Sequence, residues 1–158
     1  MDTAKELKWE PLIGGFITNF GAAEIASFQW ITTLSADPVV LRDLAIDMPF
    51  RKRISLVCQL IERSGVSKER KDKAIGLWEE VAKLAEIRNT IAHSPFITQP
   101  STGFLNVKKL KGDGPYEIVP LGLVDVANAG SRLARILPDL LKPFSRNEST
   151  AQIIETVA

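Results

Sequence analysis

Reactive side chains are scarce in this sequence. Its 158 residues hold one cysteine, Cys58, and one histidine, His93. A single cysteine excludes an internal disulfide and suits a reducing compartment. With only one histidine beside it, no Cys/His set of zinc-ligand spacing can form, and neither a metal nor another cofactor is expected. Charge of either sign is also nearly balanced, at a net +1. The chain as a whole therefore has no pull toward nucleic acid or anionic membrane, and any RNA contact must come from a local patch. No apolar run approaches the ~20 residues that cross a bilayer, so no membrane partner is expected. Met1 to Glu6 lacks the basic-then-apolar order of a signal peptide, which makes the cytoplasm the expected location. Gly14-Gly15 precedes helical sequence but lacks the spacing and preceding strand of a dinucleotide site. No catalytic triad, internal repeat or low-complexity block is evident.

What remains is an ordinary globular composition, 45% hydrophobic and 25% charged, which argues against a disordered chain. The length fits one domain, expected over residues 10–142, with 1–9 and 143–158 as terminal segments. Helical periodicity dominates. A first stretch from about Pro11 to Leu34 carries Ile13, Phe16, Ile17, Phe20, Phe28 and Ile31 on one face, interrupted by Glu24. Asp37-Pro38 starts a short helix, about Val39 to Ala45. A second main helix spans Phe50 to Arg63, with Gly65 placed as a C-terminal cap. The third runs from about Lys68 to Ala92 or His93 and is stopped by Pro95. Two β-prone runs, Phe104 to Leu110 and Tyr116 to Val119, flank Gly112-Asp113-Gly114-Pro115 and predict a hairpin. A helix returns over about Leu121 to Leu141, kinked or restarted at Pro138. The expected fold is mainly α: a bundle of four main helices with a β-hairpin inserted between the third and fourth. Trp30 and Trp78 read as core, whereas Trp9, ahead of the first clear helix, reads as packing across a subunit boundary.

The candidate chemistry lies at the end of the third helix. Asn89 and His93 are four apart and share a helical face, with Arg88 one position round. A neutral imidazole can take a 2′-hydroxyl proton, and its protonated form can return one to a leaving oxygen. A guanidinium forks onto the non-bridging oxygens of a phosphodiester as charge builds. An amide can orient the imidazole or a ribose. The same residues have structural readings: His93 as a C-terminal helix cap, Arg88 paired with Glu24, Asn89 on a loop carbonyl. Glu24 itself can sit at the edge of the apolar stripe or hold a buried partner such as Arg88. Arg51, Lys52 and Arg53, and separately Lys108 and Lys109 beside Lys111, are candidate RNA-binding clusters. Each can equally be a solvated face or, for the lysines, a blunted strand edge.

Arg88-Asn89-Thr90-Ile91-Ala92-His93 resembles the signature of the HEPN family (higher eukaryotes and prokaryotes nucleotide-binding domains). In that signature an arginine, usually followed by a polar residue, precedes a histidine by about four to six intervening positions. The setting is similar too, since the family is a helical bundle with the motif near the end of its third main helix. Glu24 looks like the acidic residue that many members carry in the first long helix. The resemblance covers roughly residues 10–142 in layout and six residues in letters. It implies a homodimer whose two motifs face each other in a cleft. In catalytic members this is a metal-independent endoribonuclease, often a toxin held by an antitoxin or a phage-defence factor. Arg88 and His93 are then catalytic and Asn89 assists. The alternative is a non-catalytic module for dimerisation, nucleotide binding or partner binding.

Overall fold

The structure, a computed structural model, describes residues 8–93, 96–99, 104–110 and 116–145, and side chains over 8–93 and 120–145. The chain is mainly helical. In order it forms α1 (Trp9–Leu34), α2 (Pro38–Ile46), α3 (Phe50–Arg63), α4 (Lys68–His93), β1 (Phe96–Gln99), β2 (Phe104–Leu110), β3 (Tyr116–Gly122) and α5 (Leu123–Leu140).

Local chemistry sets these limits. Pro11 does not delay α1, because the first turn of a helix has no use for the missing N–H. The helix instead starts at Trp9. Trp9 is only 6% exposed, so it is buried within its own chain; this corrects its assignment to a subunit boundary. Phe16, Phe20, Trp30 and Ile31 are buried, while Ile13, Ile17 and Phe28 are half-buried and flank the stripe. Asp37 caps α2 by accepting a hydrogen bond from the Val40 N–H at 3.2 Å, with Pro38 as first helical residue. Such a cap contributes about 1 kcal/mol. Ala45 is the one buried residue of α2, and Val39, Val40, Leu44 and Ile46 are 52–61% exposed. At the end of α3 the backbone N–H and the Oγ–H of Ser64 both donate to Ile61 O, at 3.1 and 2.7 Å. Ser64, rather than Gly65, thus satisfies the terminal carbonyl. Pro138 lies inside α5; the helix continues two residues past it and ends, which keeps the lost donor near a terminus.

Between α4 and α5 lies a three-stranded antiparallel sheet in the order β1-β2-β3. Strand β1 is additional to the two strands read from the sequence. It pairs Phe96 with Val107 through Gln99 with Phe104. Strand β3 pairs along all of β2, from Phe104 opposite Gly122 to Leu110 opposite Tyr116. The Gly122 N–H is taken up by Asp125 Oδ2 at 3.1 Å, which joins β3 to the first turn of α5. The helix-stopping role of Pro95, the turn Gly112–Pro115, Lys111, residues 1–7 and the terminal segment from 146 onward lie outside the described residues.

The region read as one domain divides into two compact units. One comprises Met1–Phe20 and Leu84–Arg135, the other Gly21–Lys83 and Ile136–Ala158. Buried side chains of the first include Phe16, Phe20, Leu84, Ile91, Val126 and Leu133. Those of the second include Trp30, Ile54, Val57, Ile61, Trp78 and Leu140.

Candidate active site

Arg88, Asn89 and His93 all belong to the first unit. They occupy the last turn and a half of α4. Asn89 and His93 are solvent-exposed and Arg88 is half-buried. The side chains converge on one atom. Arg88 Nη1 donates to Asn89 Oδ1 at 3.2 Å and lies 3.2 Å from His93 Nε2. Spacing along the helix alone would not bring positions 88 and 93 together, since five residues turn through about 140° at 3.6 residues per turn. The length of the arginine closes that gap.

A guanidinium has donors only, so His93 Nε2 must accept in this contact. In the tautomer that makes this contact a hydrogen bond, Nδ1 carries the proton and the Nε2 lone pair is the one engaged. The buried ring of Phe20 lies under the guanidinium carbon at 5.8 Å, within range of a cation–π attraction. Phe20 is the site residue that sequence reasoning left in the core. The two lie 68 positions apart, so no local spacing could connect it to Arg88. At the same helix end, Thr90 Oγ1 donates to Glu86 O at 2.9 Å, so the threonine hydroxyl turns back along its own helix. His93 stands in the last turn, where the negative end of the helix dipole favours a cation.

No model of a known protein family matches this chain, and no curated protein or solved structure does so either. The geometry of the site therefore stands on its own.

The remaining sequence candidates are distributed over the fold. Glu24 lies in the second unit, half-buried, and its charge acts on Arg53. Arg51 and Lys52 are exposed at the start of α3. Arg53 is not part of that solvent-facing cluster. It is 8% exposed, with its guanidinium 4.4 Å from the centre of the Phe28 ring and 5.2 Å from that of Phe50. Its Nε finds no acceptor among the described residues. Burial pushes its pKa down from the usual value, against an upward pull from the Glu24 carboxylate. As a surface contact for RNA, Arg53 is thus withdrawn, because its charge is spent against two aromatic faces. Lys108 and Lys109 stand on β2 opposite Ile118 and Glu117 of β3. The β1 pairing ends at Val107, so both lie beyond the short strand. Among the described residues no group of three or more His, Cys, Asp or Glu could hold a metal ion. No helix among them is long and apolar enough to cross a membrane.

One cation, one amide and one imidazole within hydrogen-bond reach form a unit that can grip a phosphate and move a proton. Nη1 of Arg88 can exchange the contacts to Asn89 and His93 for phosphate oxygens. That exchange frees Nε2 of His93, the basic nitrogen.

Proposed function

We propose that this protein is a metal-independent endoribonuclease of the HEPN type, a helical bundle acting as a homodimer with a composite site at the dimer cleft. The observation that carries the reading is the shared Nη1 of Arg88, 3.2 Å from both Asn89 Oδ1 and His93 Nε2.

The reaction follows from the roles of these groups. A phosphodiester oxygen draws Arg88 away from His93. The freed Nε2 takes the proton of the neighbouring 2′-hydroxyl as general base. The O2′ electron pair forms a bond to phosphorus while the bond from phosphorus to O5′ breaks, which leaves a 2′,3′-cyclic phosphate. O5′ departs as a hydroxyl once it receives a proton. Arg88 stabilises the negative charge that accumulates on the non-bridging oxygens between these events. Asn89 orients the arginine or the ribose. Each chain has one histidine, and a concerted step needs a base and an acid together. A second copy supplies the other imidazole, which is the chemical argument for the dimer. Exposed Arg51 and Lys52, together with Lys108 and Lys109, are the side chains proposed to guide RNA, and Glu24 is a supporting residue. A cytoplasmic toxin restrained by an antitoxin or similar protein partner, or a phage-defence factor, fits this activity.

The test is cleavage of a mixed RNA by the purified protein in EDTA, beside His93→Ala and Arg88→Ala. Loss of a general acid–base group slows such a step about 10²–10⁴-fold. Cleavage in EDTA that disappears in both variants, with 2′,3′-cyclic phosphate ends in the product, supports the assignment. Folded wild-type protein without cleavage would turn the reading to a non-catalytic dimerisation, nucleotide-binding or partner-binding module. Equal cleavage by all three proteins would return Arg88 and His93 to a structural role.

A further inference from the structure

Helix α2 of the second unit turns more apolar surface to solvent than to its own core. It buries Ala45 alone, while Val39, Val40, Leu44 and Ile46 are 52–61% exposed. A helix of nine residues is too short to hold in water by itself, and helices of this kind gain their stability by packing an apolar face. Most of the apolar side chains of α2 have no such packing within the unit.

The order of residues along the exposed face says what covers it. Val39, Arg42, Asp43 and Ile46 follow the steps i, i+3, i+4 and i+7, which set them in one row along the helix. All four are more than half exposed. From either end the row runs apolar, charged, charged, apolar, with opposite charges at its centre. A second α2 laid antiparallel on this row therefore sets Val39 against Ile46 of the second copy, and Arg42 against Asp43 of the second copy. Two-fold symmetry makes each of these pairs occur twice. Val40 and Leu44, four apart on one flank, meet Leu44 and Val40 of the second copy in the same way. A parallel arrangement would instead bring arginine to arginine and aspartate to aspartate, which repel. The ion pair within one chain leaves room for this exchange. Arg42 Nε and Nη2 both donate to Oδ1 of Asp43, at 3.1 and 3.0 Å, and a guanidinium has further N–H groups beside those two. With two copies the four charges alternate in sign around the symmetry axis.

We propose that α2 is a self-association surface, on which a second copy of this chain docks its own α2 antiparallel about a two-fold axis between Arg42 and Asp43. The helix belongs to the second unit and the Arg88–His93 cluster to the first, so the contact neither uses nor requires the nuclease reading. At 1.5 Å per residue α2 is about 14 Å long, too short to supply alone the ~800 Å² per partner of a standard interface. The contact is accordingly a weak one, with a midpoint between about 10 μM and 1 mM.

The experiment is sedimentation of the full chain over that concentration range, beside Arg42→Asp, Asp43→Arg and an equimolar mixture of the two. Both substitutions fall on side chains more than half exposed, and the variants should keep the wild-type melting curve. Wild type is expected to double its average mass as concentration rises. Each variant carries like charges at the centre of the row and should need at least tenfold more protein to do so. The mixture restores opposite charges across the axis and should return to within about threefold of wild type. Ile46→Ser, which removes an apolar end of the row and no charge, should also weaken the doubling. Three results would overturn the proposal: no doubling in wild type up to about 1 mM, a doubling that both charge variants keep, or a mixture no better than either variant alone.

Discussion

Trp30 and Trp78 offer a test of how buried polar groups are treated in this fold. Both indoles are almost fully buried, at 1% and 0% exposure. They meet edge to face, with centroids 6.2 Å apart at 85°. They differ in one respect: Trp30 Nε1 donates to Leu140 O at 2.6 Å, whereas Trp78 Nε1 has no acceptor among the described residues. Replacing either by phenylalanine removes a similar volume, about 40 Å³, and at roughly 24 cal/mol per Å³ the void costs about 1 kcal/mol. In Trp30→Phe the Leu140 carbonyl is also stranded in the interior, which adds about 1–3 kcal/mol. In Trp78→Phe an unpaired buried N–H is removed, which offsets part of the void. Trp30→Phe should therefore be the less stable variant by about 1–3 kcal/mol, or roughly 2–10 °C in Tm for a chain of this length. Urea titration followed by far-UV circular dichroism measures the gap. A Trp78→Phe variant as unstable as Trp30→Phe, or more so, would refute the reasoning.

Two further outcomes follow from groups whose titration the fold displaces. The Cys58 thiol is pushed up to about 11, first by burial and then by the carboxylates of Glu79 and Glu62. Its alkylation by iodoacetamide should be slow at pH 8 and rise about tenfold per pH unit until about 11; a plateau near the ordinary thiol value would contradict this. Because the unfolded thiol ionises first, this residue's contribution to stability is complete below about pH 9 and falls as the pH rises from there to 11. Arg53 carries a desolvated charge between two rings, so Arg53→Met, which keeps the stem and loses the charge, should stay within about 1 kcal/mol of wild type or exceed it. Arg53→Ala should lose about 2 kcal/mol through packing alone. Equal losses in denaturant titrations of the two would show that the charge itself stabilises the fold.

The helices were readable because their signals are local. Asp37-Pro38 marks the start of α2, and α3, Phe50–Arg63, lies between the break at Asp47-Met48-Pro49 and Gly65, with an apolar row at steps of three and four inside it. The motif was readable for the same reason, since Arg88, Asn89 and His93 lie within six consecutive positions. What escaped is non-local. Strand β1 is four residues that acquire their identity only by pairing with β2. Arg53 reads as surface because its sequence neighbours are Arg51 and Lys52, but Phe28 captures its guanidinium from another helix. Phe144, assigned to a terminal segment, is 8% exposed and packs on Trp30 from more than a hundred positions away. Charge and periodicity place a residue on an element. They do not report which distant ring will be underneath it.

The thin anchorage of α2 has a consequence for how the chain can be altered. A helix held by one buried alanine loses little when it comes loose, and its opening need not wait for either core to melt. Its four exposed aliphatic side chains would then add to the apolar surface of the opened segment. The same thin anchorage makes α2 a segment where a foreign sequence can be spliced in, as a tag, a reporter or a cleavable linker, with one buried side chain at stake. In an evolving lineage it is likewise the stretch free to drift toward a binding partner while both cores keep their packing.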